Sequence, residues 1–141
     1  DAINFGNILH EIMAFIHTKD DVDLAIQKAT ELGLITFSQH QIFKETIAKI
    51  VNHEELISFF DADAKVYNEQ NIIKKTFKNI KPDRVVVKDN MAYLLDYKTG
   101  EKHNKHKAQL EEYELALQEM KYTVAKKALI YIGESIEIVT L

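Results

Sequence analysis

The sequence predicts an α/β chain of the α+β kind, a mixed β-sheet flanked by helices with an N-terminal helical segment. Apolar residues recur at helical spacing through residues 1–61. From residue 64 onward the pattern changes to short runs rich in Val, Leu, Ile and Tyr, punctuated by Asp89-Asn90, Thr99-Gly100 and Gly133-Glu134. A single helical stretch near 104–121 interrupts those strands. This order differs from a regular βαβαβ alternation, and residues 1–141 read as one domain without repeats or Pro/Gly-rich linkers.

Each element has a local reason. Phe5, Ile8, Leu9, Ile12 and Ile16 follow i, i+3, i+4 spacing and predict an amphipathic helix over about 4–17. Thr18-Lys19-Asp20-Asp21 has the form of a capping box, opening a helix that buries Val22, Ala25, Ile26, Ala29 and Leu32 and stops at Gly33. Ser38 to Gln41 opens a third, with Ile42, Phe43, Ile47, Ile50 and Val51 inward. Asn52-His53-Glu54-Glu55 repeats the capping pattern before Leu56, Ile57, Phe59 and Phe60. Residues 65–75 predict one or two strands. Lys81–Val87 and Tyr93–Lys98 predict a hairpin around Asp89-Asn90, a pair that tolerates positive φ. Leu110, Tyr113, Leu117 and Met120 mark the late helix, and 125–132 and 135–140 are closing strands.

Composition narrows the class. At 16.3 kDa, with 46% hydrophobic and 28% charged residues, the chain is long enough to bury a core unaided. No apolar run is long enough to span a bilayer and no signal peptide is evident, so a cytoplasmic setting without membrane contact is expected. With Cys 0, disulfides, thiolate-held zinc, iron–sulfur clusters and a cysteine nucleophile are excluded. Asp at position 1 suggests a piece of a longer chain. A net charge of −4 speaks against a free-standing polyanion binder, so contact with nucleic acid would need a local basic patch or help from elsewhere.

The hairpin carries the chemistry. Antiparallel pairing brings Asp83, near the start of the first strand, beside Asp96 and Lys98, at the end of the second. Period-2 alternation points Asp96 and Lys98 to one face and Tyr97 to the other. Two carboxylates suit a hard divalent ion such as Mg²⁺, and Lys98 could orient a water or offset transition-state charge. A structural Asp96–Lys98 ion pair would look the same in sequence. Gln109 and Tyr113 are i, i+4 on the following helix, where they could support Lys98 or hold a DNA backbone; as a solvated amide and a core phenol they would have no such role. His10 lies roughly 120° from the centre of its helix's apolar stripe, on a wheel of ~100° per residue, beside Gly6. It is a candidate metal ligand or a boundary histidine, and Gly6 leaves room for something to approach. Glu69 is a further carboxylate or a surface strand residue. The basic run Lys98–Lys107 would line a DNA path or form a solvated loop.

Taken in order, Gly6-x-x-x-His10, Pro82-Asp83, Asp96-Tyr97-Lys98 and Gln109-x-x-x-Tyr113 resemble the PD-(D/E)XK nuclease superfamily, and within it the RecB-type exonuclease domain found at the C-terminus of helicase–nuclease chains. The motifs span most of the sequence. The resemblance implies a restriction-endonuclease-like core. It implies His10, Asp83, Asp96 and the Tyr97 backbone carbonyl as metal ligands, Lys98 as the catalytic lysine acting with Asp83 and Asp96, and Gln109 and Tyr113 as supports that contact DNA. The absent cysteines set aside the iron–sulfur branch.

The implied activity is Mg²⁺-dependent hydrolysis of phosphodiester bonds in DNA repair or recombination, with Mn²⁺ able to substitute. The implied partners are DNA and helicase domains of the same longer chain or of a helicase–nuclease complex. The alternative is a catalytically inactive DNA-binding or scaffolding domain of a larger repair protein.

Overall fold

A computed structural model describes residues 2–68 and 81–141. Helix α1 (Ala2–Met13) stops before the predicted residue 17, because the N–H groups of Ala14, Phe15 and Ile16 turn back to carbonyls three residues earlier. The Thr18 capping box forms as expected. The Thr18 N–H donates to Asp21 Oδ2 (2.7 Å), and Thr18 Oγ1 accepts from the Asp20 N–H (3.2 Å), opening a 3₁₀ turn that runs into α2 (Val22–Glu31). Gly33, at φ +77°, ends that run as its N–H donates to the Thr30 carbonyl, while the Leu34 N–H donates to Ala29.

Two helix starts differ from the sequence expectation. Before α3 (His40–Val51) the cap is Thr36 with Gln39, two residues ahead of Ser38. After α3, Asn52 keeps helical backbone angles and donates to the Ala48 carbonyl. His53, extended, caps the 3₁₀ helix Glu54–Phe60 by accepting from the Glu55 N–H. An N-cap needs extended backbone, and here that begins one residue later than predicted.

The strands are β1 (Lys65–Asn68), β2 (Arg84–Lys88), β3 (Met91–Thr99), β4 (Thr123–Ile132) and β5 (Ile136–Thr140), with α4 (Asn104–Glu119) between β3 and β4. Of the strand region predicted over 65–75, residues 69–75, including Glu69, lie outside the described residues. Asp89 and Asn90 both adopt positive φ (52° and 65°), which gives the two-residue hairpin joining β2 to β3. Among the described residues the sheet has five strands in the order β1-β2-β3-β4-β5. All neighbours are antiparallel except β3 and β4, which α4 joins as a parallel pair. The predicted α+β fold is therefore the one observed.

The sheet divides two apolar cores by its alternation. Val86, Leu95, Tyr97, Ala128, Ile130 and Ile132 face α1, α2, α3 and the 3₁₀ helix, while Val85, Ala92, Leu94, Leu129 and Tyr131 face α4. No described helix is long and apolar enough to cross a membrane.

Arg84 opens β2 fully buried on the side of the larger core, and no sequence reading singled it out. Its guanidinium donates to the carbonyls of Ile16 (2.8 Å), His17 (3.1 Å), Phe59 (3.0 Å) and Met13 (3.4 Å), and to Asn68 Oδ1 (3.3 Å). Its carbon Cζ stands 4.5 Å from the centre of the Phe60 ring. Burial pushes its pKa down, but the planar fork of donors finds a carbonyl in each direction. Arg84 thus pins the ends of α1 and of the 3₁₀ helix to the strand that begins beside Asp83.

Candidate active site at the end of the central hairpin

The hairpin register sets Arg84 against Leu95, so Asp83 falls opposite Asp96, as predicted. The two carboxylates interlock through the backbone. The Asp83 N–H donates to Asp96 Oδ1 (3.1 Å), and the Tyr97 N–H donates to Asp83 Oδ2 (2.8 Å). Lys98 Nζ lies 2.6 Å from Asp96 Oδ2 and donates to Gln109 Oε1 at 2.5 Å. The Asp96–Lys98 ion pair considered in sequence therefore exists, but it belongs to a larger cluster, and the half-buried Gln109 takes part in it by accepting from Lys98.

From the other side of the sheet edge, α1 brings His10 Nε2 to 3.0 Å from Asp83 Oδ1, with its ring 5.4 Å from the Tyr97 ring. The space at Gly6 is filled by the protein itself, which corrects the expectation of an open approach. A Cβ there would collide with Thr99 Cγ2 and lie 3.6 Å from Thr99 Cβ and 3.8 Å from Ile132 Cγ2. Glycine lets α1 settle onto the end of β3, and one turn later His10 reaches Asp83. Tyr113 is buried under α4 in the smaller core. Burial, then the charges of Asp96 and Asp83, push its hydroxyl up to about 12.

The electrostatics follow from two acids side by side. Burial pushes the Asp96 carboxyl up, the hydrogen bond and charge of Asp83 push it further, and Lys98 opposes them; the result is about 7. Burial also raises Asp83, but hydrogen bonds from His10, the Asp96 carboxyl and the Tyr97 N–H hold it below the usual carboxylate range. The two acids titrate together, burial and Asp83 raising Asp96 while the hydrogen bonds onto Asp83 hold it low.

Among the described residues no group of three or more His, Cys, Asp or Glu side chains is arranged to hold a metal ion. The carboxylate oxygens are turned to N–H donors instead. The donor chemistry nevertheless suits a hard divalent ion. Two buried carboxylates crowd each other, and the 3.0 Å between His10 Nε2 and Asp83 Oδ1 equals the edge of an octahedron with bonds of ~2.1 Å.

Three contributors escaped the sequence reading. Thr99 fills the Gly6 notch. Tyr131, paired with Lys98 in the parallel β3–β4 register, carries His106 on its hydroxyl (3.0 Å). Arg84 holds the ends of α1 and the 3₁₀ helix. The alternation that buries Val86 also points Arg84 inward, and that was the available signal. In the basic run, Lys102 pairs with Glu137, while Lys105 and His106 line a cleft beside Lys98.

No family model matches this chain. Over 56 residues, 40% of its length, it is 43% identical to Sporulation-specific protein 77 of Saccharomyces cerevisiae. That stretch spans 11% of the yeast protein, so the likeness is local and assigns no family.

Proposed function

We propose that this chain is a metal-dependent deoxyribonuclease domain that hydrolyses phosphodiester bonds of DNA, as an exonuclease working within a longer helicase–nuclease chain or complex. The observation that carries the reading is the meeting of Asp83, Asp96, Lys98, His10 and Gln109, drawn from three separate elements, at one end of the sheet. Two buried carboxylates side by side raise the pKa of Asp96 even with Lys98 against it, a perturbation of the kind that gathers at functional sites.

His10, Asp83, Asp96 and the Tyr97 carbonyl would hold Mg²⁺ or Mn²⁺. The ion would supply Lewis-acid polarisation of the phosphoryl oxygen and a more acidic water. Asp96 Oδ2 and Gln109 Oε1 fix the direction of the Lys98 ammonium, so that its one remaining proton is available to a phosphoryl oxygen on which charge builds during attack. Asp83, through the Tyr97 N–H and His10, keeps the hairpin end rigid. In the hydrolysis itself the oxygen of water bonds to phosphorus and one P–O ester bond breaks. Water loses a proton and the leaving oxygen gains one. The acidic net charge accords with delivery of the strand by helicase domains.

The test is degradation of end-labelled single-stranded DNA with Mg²⁺ or Mn²⁺, run beside Asp96→Ala. Ion-dependent cleavage lost in the variant supports the reading. A native chain that binds Mn²⁺ and DNA yet leaves the strand intact overturns it in favour of a scaffolding domain.

A further inference from the structure

Next to the carboxylates, the end of β3 and the first turns of α4 enclose a cleft of about 450 Å³. Lys98, Lys105, His106, Ala108, Gln109 and Glu112 line it. Its volume falls in the range of small-ligand clefts, ~300–1,000 Å³. The parallel register of β3 and β4 sets Tyr131 beside Lys98 on the face toward α4. Tyr131 is buried, and its hydroxyl lies 3.0 Å from His106 Nδ1, with the two rings 5.6 Å apart. His106 is therefore held by a side chain rooted in the sheet, and Nε2 is the ring nitrogen left to meet a ligand.

The charges in the cleft are unbalanced. Lys98 has Asp96 as its counter-ion, but among the described residues no carboxylate pairs with Lys105. Burial, then Lys98, Lys105 and His103, hold the His106 imidazole below its usual pKa. Glu112 alone opposes these groups among the lining residues. The nitrogen donors of Lys98, Lys105 and His106 around one cleft suit an anion with several acceptor oxygens.

We propose that this cleft seats the phosphodiester group adjoining the one under attack, with Lys105 Nζ and His106 Nε2 as donors and Lys98 standing between the two phosphates. The inference rests on the nuclease reading for the identity of the strand. A phosphate selects the tautomer in which Tyr131 donates to Nδ1 and Nε2 carries the proton. Glu112 faces the same space as a repulsive element, so its removal changes affinity in the opposite direction to removal of Lys105.

The experiment is fluorescence anisotropy of a 5′-labelled oligothymidylate with the full chain in Ca²⁺, over a series of salt concentrations. Lys105→Ala and His106→Ala each weaken binding roughly tenfold, the effect of losing a charge-assisted hydrogen bond. Lys105→Ala also lowers the salt slope by about 0.7, the value for one phosphate contact on a single strand. His106→Gln, which keeps an N–H donor, recovers part of the loss, and Glu112→Gln tightens binding. Lys44→Ala, at the far surface pair with Asp23, leaves affinity unchanged and serves as the control. Native affinity and slope in both Lys105→Ala and His106→Ala overturn the proposal, and if cleavage still depends on Asp96 the nuclease reading survives that result. The expected binding pattern without cleavage keeps the cleft and overturns the nuclease reading instead.

Discussion

Replacing Gly6 with alanine puts a methyl group where Thr99 Cγ2 already lies. Two effects of opposite sign then compete. Alanine in a helix interior is favoured over glycine by about 1 kcal/mol. Overpacking at a close helix–strand contact costs about 1–3 kcal/mol, since the β-branched Thr99 side chain has few rotamers into which to retreat. The single variant is thus expected to be less stable by up to about 2 kcal/mol. At about 3 °C per kcal/mol for a chain of this size, the melting temperature falls by up to ~6 °C. Thr99→Ala removes Cγ2 and leaves the next neighbour of the new methyl group, the Cβ of residue 99, at an ordinary 3.6 Å. On the Thr99→Ala background the same Gly6→Ala change should stabilise, because only the helix term remains. Thermal and denaturant unfolding of the four proteins in the cycle measure the coupling, expected at about 1–3 kcal/mol in favour of the double variant. The functional arm follows from His10, one turn beyond Gly6: Gly6→Ala weakens Mn²⁺ affinity and the double variant restores it. A coupling energy near zero would refute the claim that Thr99 occupies the glycine notch.

Three further outcomes are expected. Because Asp96 titrates near 7 in the fold, against 3.8 for an unperturbed aspartate, the folded chain takes up a proton between those values. Stability without metal therefore declines as pH rises from about 4 through 7, and Asp96→Asn flattens that decline in urea titrations; the depressed Asp83 acts in the opposite sense with a smaller shift. By the same linkage Mn²⁺ affinity rises with pH up to about 7 and levels off above it, which calorimetric titration at several pH values can check. Lys98→Ala should spare Mn²⁺ affinity and slow single-turnover cleavage by orders of magnitude, so an unchanged rate would remove Lys98 from the chemistry. Arg84→Met leaves the carbonyls of Ile16, His17 and Phe59 without their donor and should cost about 3 kcal/mol or more, read as a drop in the denaturation midpoint.

Where residue type alone dictates geometry, the sequence was legible. Asp89-Asn90 fixed the hairpin, the hairpin fixed Asp83 opposite Asp96, and alternation put Lys98 on the same face as Asp96. Helix spacing placed Gln109 on the side of α4 that meets Lys98. What sequence could not convey was which side chains occupy the gaps between elements. Gly6 reads as an opening until β3 is seen to deliver Thr99 into it. His106 reads as one more residue in a basic run until the parallel pairing of β3 with β4 sets Tyr131 under it. Alternation with Val86 points Arg84 inward, but nothing local reveals that two helix ends will converge on it. Short-range patterns carry the elements and their faces, whereas these contacts depend on how distant segments meet.

Arg84 also has a consequence for the time course of synthesis. The carbonyls of Ile16 and His17 wait for a donor 68 and 67 residues further along the chain, and His10 waits for Asp83 over a similar span. At ~5–20 residues per second the ribosome takes roughly 3–14 s to cover that interval. During it α1 can pack on α2 and α3, where Phe5 stacks on Phe43 at 4.5 Å, but its last carbonyls lack their donor, and a long loop must close before that contact can form. Fastening of the end of the first helix by Arg84 and completion of the acidic cluster are one late event, so a nascent chain released early carries the helices of its first half without the assembled centre.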